Sequence, residues 1–152
     1  VFKDESYDSA EEVESAWELR KQESRGGGSI FDDLDKNISS LEFAAKVQRK
    51  AKTIGLTYDN LDSAVEDFFS EIEEFKGATS LEEQREEFGD ILFSLVNISR
   101  YLETDSEIEL RKAVKKFLYR AQYVESGMNS TGKEPNELWT EAKKKEKSLK
   151  ED

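Results

Sequence analysis

Residues 80–101 read SLEEQREEFGDILFSLVNISRY, and this stretch decides the fold. Ser80, followed three residues later by Glu83, is typical of a capping box at the start of a helix. Apolar residues then recur at helical spacing through Ile91, Leu95 and Ile98. The pattern predicts one long amphipathic helix that ends near residue 102.

The same periodicity predicts further helices on both sides of this stretch. Upstream, helices are expected over about residues 40–54 and 60–76, with Gly55 and Gly77 as their stops. Downstream, apolar residues between 108 and 124 predict a fourth helix, residues 127–132 a loop, and Pro135 the first turn of a last helix. Short connections and a single proline therefore predict an all-α fold, an antiparallel helical bundle.

Charge and residue usage exclude several classes of function. The chain carries 35 acidic and 23 basic residues, a net charge of -12, which argues against nonspecific nucleic-acid binding and docking on anionic lipid. No apolar run is long enough for a membrane span, so no membrane partner is expected. Because cysteine and histidine are absent, Ser–His and Cys–His catalysis and zinc sites built on these residues are excluded. A reducing cytoplasm fits a chain without cysteine best.

Two pairs of carboxylates flank the predicted turn between the second and third helices. Glu71 and Glu74 form one pair and Glu87 and Asp90 the other, and each pair lies on one helix face. Two helices joined by a tight turn lie side by side, with the two pairs at similar distances from the turn. Clustered carboxylates repel each other unless a cation joins them, and oxygen ligands suit Mg²⁺ or Mn²⁺. Because acidic residues are abundant in this chain, a solvated helix face is an equal alternative.

Gly89 lies in mid-helix between Glu87 and Asp90, where glycine costs about 1 kcal/mol relative to alanine. We expect such a glycine where another group approaches the backbone closely. Its position therefore favours a functional site beside these two carboxylates.

Residues 70–74 read SEIEE, and residues 86–100 read EEFGDILFSLVNISR. Together they resemble the signature of the MazG family of nucleoside triphosphate pyrophosphohydrolases, EExxE followed after a spacer by ExxD. The resemblance extends to residues 46–51 upstream and to residues 116–120 and 138–143 downstream, about three quarters of the chain. Trp17 and the glycine-rich segment after it resemble the lead-in to the C-terminal catalytic unit of longer MazG proteins.

The resemblance implies an all-α, Mg²⁺-dependent homodimer, with Mn²⁺ as an alternative metal. Its implied reaction is hydrolysis of nucleoside triphosphates to monophosphate and pyrophosphate. The metal ligands and catalytic residues that it implies are Glu71, Glu74, Glu87 and Asp90. We expect residues 1–28 to form an N-terminal helix and Gly-rich linker, 29–127 the MazG-like catalytic helical domain, and 128–152 a C-terminal helix and charged tail. Because the first residue is Val1 rather than methionine, we expect a processed or excised piece.

Six further residues are candidates for contact with substrate: Asn97, Arg100, Lys116, Arg120, Lys50 and Tyr58. Lys116 and Arg120, one helical turn apart, are predicted to hold phosphates, which the resemblance favours over an exposed basic stripe. Asn97 shares a helix face with Arg100 and is expected to bond either a sugar or phosphate, or a backbone carbonyl of the core. For Lys50 a solvated position is the favoured alternative, and for Tyr58 a packing role.

Three positions depart from the family pattern. The first glutamate of EExxE is Ser70, Val114 stands where the family usually has asparagine, and Tyr119 replaces a second arginine beside Arg120. These changes remove polar groups from the expected lining of the substrate site. The alternative function is a catalytically weak or inactive MazG-like module that serves dimerisation or regulation of a larger protein.

Overall fold

The computed structural model of the chain describes residues 28–148 without a break and, before them, residues 12, 13, 16, 17, 20, 21, 24 and 26. Its helices are α1 Ser40–Thr53, α2 Leu61–Gly77, α3 Leu81–Tyr101, α4 Ser106–Thr131 and α5 Pro135–Ser148. The described residues contain no strand, and the all-α prediction is confirmed. Most of the predicted N-terminal helix and linker, and residues 149–152 of the predicted tail, lie outside the described residues.

Side-chain caps fix where the first three helices begin. The Ser39 hydroxyl accepts a hydrogen bond from the Glu42 amide at 3.2 Å, and the Asn60 side chain accepts one from the Ser63 amide at 2.9 Å. The capping box predicted at the start of α3 is present in full. Gly55, with a φ of 85°, adopts the left-handed conformation that ends α1.

The chain divides into two compact units, Val1–Ser106 and Glu107–Asp152. In the first unit, α3 packs against α2 and α1 around a small core that includes Ala64, Ile91 and Val96. The buried Gln48 side chain of α1 donates a hydrogen bond to the Phe93 carbonyl of α3 at 2.8 Å. This bond fixes α1 on the back of the helix that carries the second carboxylate pair.

In the second unit, α5 packs along α4. Leu138 and Ala142 are its buried residues among those described, and the Trp139 ring lies 5.3 Å from that of Phe117. The first turn of α5 begins at Pro135, as the sequence predicts. The predicted domain boundary between residues 127 and 128 falls inside α4, whereas the two compact units meet at residues 106 and 107.

The loop predicted at residues 127–132 is wrong, because α4 continues to Thr131. A Cβ atom added at Gly127 would lie 2.5 Å from Leu138 Cδ2, so glycine is present here to let α5 approach the α4 backbone. The helix ends at Gly132, whose φ of 67° is left-handed. The sequence predicts both glycines to be loop residues, but only Gly132 ends the helix.

No side chain or backbone group of the described chain approaches Gly89 closely, so the expected approach at this glycine stays a prediction. A Cβ atom added there would meet no atom within 4 Å. Gly89 therefore lies on an open face of α3, and its cost in helix propensity is not explained by packing in this chain.

Among the described residues, no helix is both long enough and apolar enough to cross a membrane.

Candidate metal centre

The turn between α2 and α3 brings the two halves of the candidate site together. Glu83 closes this turn by accepting hydrogen bonds from the Thr79 amide at 2.7 Å and the Ser80 amide at 3.3 Å. These bonds lower the pKa of Glu83. The two helices leave the turn side by side and antiparallel, so the carboxylates near the end of α2 face those near the start of α3.

Three of the four predicted ligands form one cluster. Glu71, Glu74 and Glu87 each offer a carboxylate oxygen within 4.8 Å of the other two. Asp90 is not part of this tight group, but its charge acts on both Glu71 and Glu87. The structure therefore supports the predicted juxtaposition across the turn and places Asp90 at its edge.

The electrostatics of the cluster are those of carboxylates that repel one another. Desolvation raises the pKa of Glu71, and the negative charges of Glu74 and other acidic neighbours raise it further. Desolvation, and then the charges of Glu74 and Asp90, raises the pKa of Glu87 in the same way. All the neighbouring charges that raise these two pKa values are negative. A divalent cation with oxygen ligands would relieve this repulsion, and the donor set suits such an ion.

Asp67 is a residue of this site that the sequence analysis missed. It lies one helical turn before Glu71 on α2, and its charge helps to raise the pKa of Glu71. The spacing of residues 67, 71 and 74, which follows one helix face, was the signal that could have revealed it. The acidic face of α2 is therefore three carboxylates long rather than two.

Tyr58 is tied into the same region through both its side chain and its backbone. Burial, and then a hydrogen bond from its hydroxyl to Asp67, raises the pKa of Tyr58 to about 12. Its carbonyl accepts a 2.5 Å hydrogen bond from the Tyr101 hydroxyl of α3. Tyr58 thus links the α1–α2 connection to the acidic face, which fits the packing role of the sequence analysis better than contact with substrate.

Ser70, which replaces the first glutamate of the family signature, contacts the cluster directly. Its hydroxyl donates a hydrogen bond to Glu74 at 3.4 Å. The substitution therefore removes one negative charge from the exposed face of α2 and leaves a weak donor beside a candidate ligand.

Asn97 and Arg100 are joined to each other on α3. Arg100 Nη1 donates to Asn97 Oδ1 at 2.8 Å, and Asn97 is buried. Neither alternative of the sequence analysis describes this bond, in which Asn97 holds a guanidinium rather than a backbone carbonyl. The pair lies two turns beyond Asp90 along the same helix face.

Lys50 is not solvated as the favoured alternative expected. Its ammonium lies 2.6 Å from Asp33, and its side chain is only 14% exposed. Contact between Lys50 and a phosphate would require exchange of this ion pair.

Lys116 and Arg120 belong to the second unit, where they have different surroundings. Lys116 is exposed on α4, whereas Arg120 pairs with Glu146 at 2.8 Å and lies 5.7 Å from the Trp139 ring. The predicted phosphate contact of these two residues stays a prediction.

The fold and the site define a class: an all-α protein whose helical hairpin carries clustered carboxylates suited to a hard divalent cation. The chain matches no family model. It is 33% identical over 165 residues to an Escherichia coli protein named nucleoside triphosphate pyrophosphohydrolase, a match that covers 98% of this chain and 63% of that protein. A Thermotoga maritima protein named nucleoside triphosphate pyrophosphohydrolase/pyrophosphatase MazG is 32% identical over 146 residues, which cover 91% of this chain and 55% of that protein.

The chain is a homologue of the MazG nucleoside triphosphate pyrophosphohydrolases. It also matches the Bacillus subtilis protein YabN, with 32% identity over 97% of this chain and 33% of that protein. The chain thus spans less than two thirds of the length of each of these relatives. The homology and the all-α fold agree with the resemblance seen in the sequence.

Proposed function

We propose that this chain hydrolyses nucleoside triphosphates to nucleoside monophosphate and pyrophosphate with the help of Mg²⁺, or Mn²⁺ in its place. The observation that carries the proposal is the cluster of Glu71, Glu74 and Glu87 across the α2–α3 turn, in a homologue of nucleoside triphosphate pyrophosphohydrolases. The reaction breaks the bond between the α- and β-phosphates and adds water across it. Such an activity suits a role in clearing nucleotides from the cytoplasmic pool.

The residues at the cluster fit a bound Mg²⁺. Glu71, Glu74 and Glu87 would hold the ion, with Asp90 as the further ligand at the edge of the group. When bound, Mg²⁺ neutralises polyphosphate charge and activates or orients water. Because metal binding needs ionised carboxylates, the raised pKa values of Glu71 and Glu87 make the site sensitive to mild acid.

The chain's own cations would hold the rest of the phosphate charge. Arg100 is oriented by its bond to the buried Asn97, which lies two turns after Asp90 on α3. The guanidinium geometry suits bidentate contact with a phosphate. Lys116 and Arg120 are the further candidates, with Lys50 and Tyr58 as weaker ones because Asp33 and Asp67 already engage them. The chain is proposed to act as a homodimer.

The test is direct detection of products from each common nucleoside triphosphate. The purified chain is incubated with Mg²⁺, and monophosphate and pyrophosphate are measured with and without EDTA. Turnover that stops with EDTA is expected for the wild type, and Glu74→Gln should lose it. The matched control is Glu73→Gln, because Glu73 lies on the same helix but pairs with Lys76 at 2.6 Å. Equal turnover in the two variants would contradict the site.

The second candidate function is a catalytically weak module for dimerisation or regulation. Ser70 at the cluster and the exposed Val114 on α4 favour it, because each replaces a polar residue of the family pattern. This candidate predicts a folded dimer whose thermal stability rises with Mg²⁺ but which releases no monophosphate. Product formation at a rate set by Mg²⁺ would exclude it.

A further inference from the structure

Asp67 lies beside the metal centre but outside the residues that the centre would use as ligands. It stands four residues before Glu71 on α2, so the two side chains lie one helical turn apart on one face. Its charge acts on Glu71. Long side chains of a helix lean toward the preceding turn, and this direction brings the Glu71 carboxylate toward Asp67. The two acids therefore compete for a donor at this end of the cluster.

The Tyr58 hydroxyl is such a donor. It donates a hydrogen bond to Asp67, and it also lies within electrostatic range of Glu71. A phenol hydroxyl has one proton to donate. Because Asp67 takes that proton, the carboxylate oxygens of Glu71 are left for other partners.

Tyr58 is held in place from a second side. The Tyr101 hydroxyl, at the end of α3, donates to the Tyr58 carbonyl at 2.5 Å, and the Thr57 hydroxyl lies 3.2 Å from the same Tyr101 oxygen. Two residues after Tyr58, Asn60 caps the start of α2. The backbone of Tyr58 is therefore fixed between α2 and α3, and the loss of Asp67 would leave the Tyr58 hydroxyl at the acidic face.

Without Asp67, this hydroxyl would turn to the nearest remaining carboxylate, that of Glu71. A hydrogen bond to an ionised acceptor is among the stronger ones. It would draw Glu71 toward the helical turn before it and away from Glu74, which lies on the turn after it. Binding of a cation between Glu71 and Glu74 would then have to break this bond.

We propose that Asp67 is a positioning residue of the metal centre, which occupies the Tyr58 hydroxyl and so leaves the Glu71 carboxylate free for the divalent cation. The inference rests on the metal site of the proposed function and adds to it a residue that is not a ligand. It does not require hydrolysis of a nucleotide, because a catalytically weak module would need the same arrangement to bind the ion.

The test measures binding of Mn²⁺ to the purified chain without nucleotide, by electron paramagnetic resonance of the free ion. The wild type is compared with Asp67→Ala, Tyr58→Phe and the double variant. The matched control is Glu66→Ala, which removes a carboxylate from the adjacent, exposed position of α2. Circular dichroism and urea unfolding check that each variant is folded.

Asp67→Ala should raise the Mn²⁺ dissociation constant about tenfold, an effect typical of residues that orient metal ligands. Glu66→Ala and Tyr58→Phe should each stay close to the wild type. In the double variant the competing hydroxyl is absent, so most of the affinity lost in Asp67→Ala should return. Removal of a second hydrogen-bonding group would not rescue a residue that only supports the fold.

A double variant as weak as Asp67→Ala would overturn the proposal, because the Tyr58 hydroxyl would then not compete for Glu71. Equal losses in Asp67→Ala and Glu66→Ala would also overturn it, since the lost charge alone would account for both. A wild type that binds no Mn²⁺ would overturn it together with the metal site. Mn²⁺ binding with the expected rescue, but without release of monophosphate from any nucleotide, would support the positioning role and contradict only the hydrolase function.

Asp67→Asn provides a second measurement. Asparagine retains an oxygen that can accept the Tyr58 proton, but it lacks the charge. The Mn²⁺ dissociation constant of this variant should lie close to that of Glu66→Gln and well below that of Asp67→Ala. Equal losses in the asparagine and alanine variants would show that the charge of Asp67 matters and its bond to Tyr58 does not, which contradicts the proposal.

Discussion

Helices α3 and α4 are the two longest of the helices bounded above, and they differ in how many residues they bury. Helix α3 buries Ile91 and Val96 together with three polar residues, Ser94, Asn97 and Ser99. Helix α4 carries a more regular apolar stripe but buries no residue. An amphipathic pattern thus predicts a helix with one face to be covered, and it does not say which element covers it.

The difference follows from the neighbours of each helix. α1 and α2 both pack on α3, so that even the serine hydroxyls of α3 are enclosed. These hydroxyls bond to the backbone of α3, as Ser94 does to the Ile91 carbonyl at 2.9 Å. α4 has α5 along one side, where Leu138 rests on Gly127. Substitutions on the two helices therefore test how firmly each one is held.

Leu138→Ala should have the largest effect on the α4–α5 pair. Leu138 is 2% exposed, and truncation of such a residue leaves a cavity that typically costs about 2–5 kcal/mol. Denaturant unfolding should show a marked loss of stability. Leu118→Ala is the control, because Leu118 is 52% exposed, and a comparable loss in that variant would mean that Leu138 has no special role.

Gly127→Ala should destabilise the same pair by a smaller amount. The added methyl group would overlap Leu138, whose burial limits its movement, and overpacking of this kind typically costs about 1–3 kcal/mol. The free energy of unfolding measured in urea tests this. A neutral effect would show that α5 can shift away from α4 without cost.

Gly89→Ala should have the opposite sign on α3. The added methyl group meets no atom within 4 Å, so the gain in helix propensity, about 1 kcal/mol, should appear as stabilisation. The variant is measured beside Gly127→Ala under the same conditions. Destabilisation at Gly89 would reveal that a partner packs against this face, which the isolated chain does not show.

Glu87→Gln should change how the thermal stability of the protein depends on pH, because Glu87 belongs to the acidic cluster. The pKa of Glu87 is raised in the folded state, so its ionised form opposes folding, and this opposition disappears as pH falls through the raised pKa. Without divalent metal at neutral pH, the variant should therefore melt at a higher temperature than the wild type. The difference should vanish in acid and reverse in Mg²⁺. An identical Mg²⁺ response in both proteins would remove Glu87 from the site.

Ser70→Glu should have the smallest effect, on activity rather than on folding. It restores a carboxylate beside Glu74, to which Ser70 now donates a hydrogen bond at 3.4 Å. We expect turnover that is equal to or a few-fold above that of the unmodified chain. A clear loss would mean that the centre is organised around the serine hydroxyl.

Much of the site could be predicted because it lies on two helices joined by a tight turn. Local spacing and a capping box were enough to place Glu71, Glu74 and Glu87 together, while Asp90 lies at the edge of the group. Asp67 was not predicted because it lies outside the family signature. The ion pair between Lys50 and Asp33 was missed because it joins residues that no local pattern relates.

The glycines show why local reading fails elsewhere. Gly55, Gly127 and Gly132 look alike in the sequence, yet two end helices with a positive φ and one lies within a helix beneath Leu138. A glycine's role depends on what approaches it, and that information is in the packing of distant residues. Val114 is a second example. By comparison with the family pattern it is the loss of a polar residue, whereas on α4 it is part of an apolar stripe.

The sequence by itself determined the all-α fold, the helix starts and the meeting of acidic residues across one turn. These features depend on spacing and on hydrogen bonds between near neighbours, which short stretches of chain specify. Only the tertiary structure decided which residues are buried, that Asn97 holds Arg100, and that Leu138 rests on Gly127. Burial and pairing depend on which elements meet in space, and residues far apart in the chain settle that together.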